Sequence, residues 1–110
     1  MALTDDIFSA IKDAGAKILA NFDSGDQAQL QMFASDLVDL HNEAVQATGD
    51  TVKQAKAEAA KRIIDQAAEL ALSRINQIDD GAFDTLKKTF IQIVALALPP
   101  PIGPIVRSLI

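Results

Sequence analysis

Large apolar residues return along the chain at spacings of three and four, and short polar joints reset the pattern. In the first stretch Leu3, Ile7, Ile11, Ala14, Ile18 and Phe22 keep this period, with Phe8, Gly15 and Leu19 widening the same stripe. Thr4 reads as an N-cap followed by Asp5 and Asp6, whose charges suit the positive end of a helix dipole, so a helix is predicted over 4–21. Gly15 costs about 1 kcal/mol against Ala in a helix interior, and it marks either a close helix crossing or a tolerated glycine. Asp23-Ser24-Gly25-Asp26 breaks the pattern, with Ser24 or Asp26 as the cap of a second helix over 26–48. That helix carries a core face of Leu30, Phe33, Leu37, Leu40 and Ala44 and an opposite face of Asp36, Asp39, Glu43 and Gln46.

Thr48-Gly49-Asp50-Thr51 reads as a glycine C-cap handing over to an Asp or Thr N-cap, which opens a third and longest helix over 51–78. An uninterrupted helix through Gly49 is the alternative. After Asp79-Asp80-Gly81, residues Phe83, Leu86, Phe90, Val94 and Ala97 carry a fourth helix over 82–98, stopped by Pro99, Pro100 and Pro101. Residues 99–110 are predicted to form an extended, proline-rich, apolar tail. No repeat and no strand-like alternation interrupts this sequence. The expected fold is all-α: one domain over 1–110, an up-and-down bundle of about four helices with a long central hairpin.

Apolar mass is unevenly spread. Between His41 and Arg62 the only large aliphatic residues are Val45 and Val52, and alanine fills positions 44, 47, 55, 57, 59 and 60. Alanine buries little area but allows helices to approach closely, so the hairpin around Gly49 should be a thin, marginal tip. Residues 27–50 carry four acids and no Lys or Arg, whereas 51–78 carry five bases and three acids, which favours antiparallel pairing of helices two and three. From Thr89 to Leu98 the fourth helix is apolar almost all round, with Gln92 the main exception. A helix without a polar face is enclosed on every side or meets a partner.

Composition narrows the chemistry. Fifteen acids against ten bases give a formal charge of -5, which repels polyanions, so no nucleic-acid partner is expected. The chain has no Cys and one His, which excludes a disulfide framework, a thiolate metal site and a histidine cluster. No cofactor or metal is expected. Four prolines, three of them consecutive, and Gly103 interrupt the only long apolar run, so a transmembrane helix is not expected. Met1 to Phe8 lacks the basic start and apolar run of a secretory signal, making synthesis without a cleaved leader the default, in the cytoplasm or as part of an assembled particle.

Candidate chemistry is sparse. His41 lies on the apolar side of helix two, away from Asp36, Asp39 and Glu43, and reads as a boundary histidine bonded to a carbonyl or acid. The pairs Asp5-Asp6 and Asp79-Asp80 precede helices and read as capping groups, lacking the alternating oxygen ligands of a calcium loop. Lys53, Lys56, Lys61 and Arg62 form a basic patch without nearby aromatics, and no serine sits in a nucleophile elbow. Arg74 and Lys56 interrupt an apolar face of helix three. Either their stems cover core while their heads reach solvent, or they form a register-fixing ion pair between subunits. No catalytic residue is assigned, and an enzyme is not expected.

The functional expectation is a structural or assembly protein, a homo-oligomer or part of a larger protein assembly. Its contacts are expected to come from Phe90, Ile91, Val94 and Leu98 of the fourth helix and from Ile102, Ile105, Val106, Leu109 and Ile110 of the tail. The tail packs either on its own bundle or on a neighbour. A membrane-active or lipid-associated protein is the alternative, weakened by Arg107 being the sole base near the end. A small regulatory adaptor that occupies a partner's groove is a further one.

Overall fold

The computed structural model describes residues 3–17, 22–73 and 79–110, and these fold into five helices with no strand among them. Helix α1 spans Leu3–Lys17, α2 Ser24–Gln46, α3 Asp50–Leu72, α4 Asp80–Ala97 and α5 Ile102–Ser108. Helix α1 lies against α2 and α4 and touches α3, while α3 packs on α2 and α4, and the α2–α3 pairing is the most extensive. The body measures 45 × 29 × 16 Å along its principal axes.

The helix ends follow from local hydrogen bonding, and several differ from the sequence expectation. Helix α2 is capped by Asp23, not by Ser24 or Asp26. The Asp23 carboxylate accepts from the Asp26 backbone N–H at 2.8 Å, and the Asp26 carboxylate accepts from the Asp23 N–H at 3.3 Å. This reciprocal box satisfies two donors that the first helical turn would otherwise leave unpaired. It starts the helix two residues earlier than the second expected cap. Asp79 acts similarly for α4, accepting from the Ala82 N–H at 2.7 Å, so that Asp80 already lies within the helix.

Thr4 is not a cap, because α1 already includes Leu3. The break between α2 and α3 is present, but Ala47 ends α2 and Gly49, in extended conformation with φ −117°, precedes α3 without a side-chain cap. Neither Asp50 nor Thr51 caps α3, since Asp50 is its first residue. The expected ends of helices one and three, over 18–21 and 74–78, lie outside the described residues, as does Arg74.

The largest departure is at the C-terminus. The prolines do stop α4, which ends at Ala97, but the expected extended tail is instead α5, packed on α3 and α4. Pro104 is the third residue of α5, where a missing N–H removes no intrahelical bond and the fixed φ suits the helix. Ile102 and Val106, four apart, are fully buried on its inner face. The run Ile102, Ile105, Val106, Leu109 is a helical period in its own right.

One continuous core joins the elements, with Ile7, Ile11, Leu30, Leu37, Ile64, Leu72, Phe90, Val94, Ile102 and Val106 fully enclosed. Toward Gly49 the buried positions are Ala44, Ala57 and Ala60, while Val45 and Val52 are exposed. Two glycines sit where a Cβ has no room. At Gly15 it would run into the Phe22 ring, so that glycine admits the side chain arriving after α1. At Gly103 it would run into the Leu98 carbonyl, so that glycine allows α5 to fold back tightly on the end of α4.

Candidate interaction surface

Helix α4 presents Phe90, Ile91, Val94, Ala95 and Leu98 to the interior. Those positions fall on one arc at 100° per residue. Leu86, Ile93 and Ala97 flank the arc and are half-buried. On the far side stand Thr85, Gln92 and Leu96, and Leu96 is 71% exposed. Among the described residues it is the most exposed of the large hydrophobic side chains, ahead of Met32, Val45 and Val52.

The expected interaction residues therefore divide. Phe90, Ile91, Val94, Leu98, Ile102 and Val106 are buried inside their own chain and offer no surface in this fold. Ile105, Leu109 and Ile110 are half-buried on α5. Leu96 was not singled out from the sequence, although Gln92, one turn earlier on the same side, marks the direction that faces water. The strip around it continues through half-buried Ile93, Ala97 and Pro99 to exposed Pro100.

Beyond the last turn of α5 a pocket of about 210 Å³ opens between α3 and α4. Ile91, Leu109 and Ile110 line it together with Lys61, Asp65, Asp84, Lys87 and Lys88. Lys61 pairs with Asp65 at 3.4 Å along α3, and Lys87 reaches Glu69 at 3.1 Å, tying α4 to α3. The second Asp65 oxygen, Oδ1, is buried and accepts no hydrogen bond among the described residues. The pocket thus combines an apolar lining with mixed charges.

Lys56, one half of the expected register pair, bonds Glu43 of its own chain at 3.0 Å, joining α2 to α3 near the hairpin tip. Lys53 and Lys61 are half-buried and Arg62 is exposed along α3. His41 is half-buried, and its Nδ1 is enclosed with no hydrogen-bond partner among the described residues, so the expected bond to a carbonyl or acid is not made there by that atom. No group of three or more metal-ligating side chains forms among the described residues. None of the described helices is long and apolar enough to cross a membrane. Set against protein-family models, curated proteins and solved structures, the chain matches none.

Proposed function

We propose that the chain is a non-catalytic assembly protein that associates with copies of itself, or docks into a larger protein assembly, through the outward side of α4 around Leu96. The observation that carries this reading is the exposure of Leu96 on the most apolar helix, flanked by the partly uncovered Ile93 and Ala97. Apolar surface of this kind is covered at the centre of protein interfaces, where a few large side chains supply most of the binding energy. In this reading α1 to α4 make an up-and-down bundle. The ion pairs Glu43–Lys56 and Glu69–Lys87, each between consecutive helices, support that topology. Helix α5 is then an added element over one groove of the bundle, and its half-buried Ile105 and Leu109 extend the contact surface.

The test is the molar mass by light scattering of the intact protein and of Leu96→Glu over a concentration series. Oligomers of the intact chain and monomers of the variant, with equal helicity and melting temperature, are the expected result. An intact chain that is monomeric, alone and with candidate assembly partners, would remove the proposal.

A further inference from the structure

We propose that the pocket between α3, α4 and the end of α5 binds a small uncharged aromatic alcohol, with its hydroxyl on the Asp65 carboxylate and its ring over Ile91, Leu109 and Ile110. The site is separate from the association surface. Its α4 residues Asp84, Lys88 and Ile91 lie on a different flank of that helix from Leu96, at about 100° per residue.

Two observations define the two ends of the ligand. The apolar end is set by Ile91, which is buried, and by half-buried Leu109 and Ile110, with the aliphatic stems of the lysines extending the same surface. The space is about 210 Å³, and an apolar cavity of about 150 Å³ takes up benzene, so a single ring with a short substituent fits.

The polar end is set by Asp65. An ionised carboxylate offers sites for about four donors. Among the described residues Asp65 accepts one hydrogen bond, from Lys61 Nζ at 3.4 Å, which is long, while its Oδ1 is enclosed and accepts none. Asp84, the other carboxylate of the lining, is exposed and can be satisfied by water. The Asp65 side chain is 25% exposed and its χ2 is a soft torsion, so a donor entering the pocket can draw either oxygen toward itself.

The mixed charges select the head group. An ammonium suits Asp65 but meets Lys61, Lys87 and Lys88 around the same space. A carboxylate suits the lysines but is brought against Asp65 and gives its enclosed oxygen no donor. A hydroxyl serves both: its O–H donates to Asp65, and its oxygen accepts from Lys61, whose bond to Asp65 is long enough to share. A phenol is uncharged at neutral pH, as the tyrosine side chain is, and its rigid ring loses little conformational freedom on binding. Such a ligand also ties the elements together. Leu109 and Ile110 close a helix of seven residues, too short to be stable alone, and the ring joins them to α3 and α4.

The unmodified chain is titrated with p-cresol, toluene, p-toluate and 4-methylbenzylamine at neutral pH, following the methyl resonances of Ile91, Leu109 and Ile110 by NMR. p-Cresol should give saturable shifts at these residues, with the other three probes bound roughly tenfold more weakly. Asp65→Leu should bring p-cresol to the level of toluene. Shifts that do not saturate, or that map elsewhere, overturn the site. Toluene binding as well as p-cresol overturns the Asp65 contact, as does an Asp65→Leu chain that keeps the preference, and equal or tighter binding of p-toluate or 4-methylbenzylamine overturns the uncharged class. If Asp65→Leu loses helicity, Leu109→Trp replaces it by filling the pocket from the half-buried end of α5. Helicity should then persist and the p-cresol shifts at Ile91 disappear, and an unchanged affinity overturns the proposal.

Discussion

The α4–α5 end and the α2–α3 tip share one helical period and differ in what the period carries. At the first, Phe90, Ile91, Val94, Leu98, Ile102 and Val106 are buried; at the second, Ala44, Ala57 and Ala60 are equally buried. Equal burial does not mean equal stabilisation. An aromatic residue buries on the order of 150–250 Å² at about 25 cal/mol per Å², and an alanine methyl removes far less from water. What alanine supplies is proximity, so polar pairs such as Glu43–Lys56 can bridge the helices. The comparison separates a region held by side-chain volume from one held by close backbone approach.

The largest effect that tests this division is Phe90→Ala. Removing a fully enclosed ring from a core this small should cost about 3–5 kcal/mol, read as a lower denaturation midpoint with little change in the slope of the transition. A loss below about 1 kcal/mol would mean that the surrounding side chains collapse into the space.

Next comes the reverse change at the tip. Ala57→Leu adds volume where the helices are close, and overpacking of this kind should cost about 1–3 kcal/mol. A neutral or stabilising result would show spare room beside Ala57 and remove close approach as the organising feature there.

The smallest effect belongs to the ion pair. Glu43→Gln should lower stability by about 0.2–1 kcal/mol, less at high salt, as expected for exposed pairs. Amides over 53–60 should also exchange faster than those over 64–72 in the unmodified chain, since few large contacts resist opening. Equal protection over both segments would show that something covers the tip.

Much of the helical layout was legible because stripes at three and four residues are set by the same geometry that buries them. Leu30, Phe33, Leu37 and Ala44 illustrate this, all lying on the inward face of α2. Cap identity was less legible. Ser24, Asp23 and Asp26 are all competent acceptors, and only the backbone path selects the reciprocal bonds of Asp23 and Asp26. The C-terminal segment misled because three prolines dominated its reading, although a proline in the first turn of a helix is permitted. For the interaction surface, the apolar character of α4 was readable, but which side its own chain would cover was not. Ile91 and Leu98 are covered while Leu96 is left open, and that outcome depends on helices distant in sequence.

The 16 Å shortest dimension has a consequence for every helix in the molecule. Two helices stacked with axes about 8–10 Å apart, each with Cα atoms about 2.3 Å from its axis, account for roughly 13–15 Å. The described residues therefore form a slab two helices thick, with no middle layer among them, and each helix turns one flank to the outside whatever its composition. For α1, α2 and α3 that flank is mostly polar, with Met32, Val45 and Val52 as the exposed apolar exceptions on α2 and α3. On α4 that flank carries Leu96 beside Thr85 and Gln92, so a large apolar side chain stands uncovered there for a reason of thickness and not of local sequence.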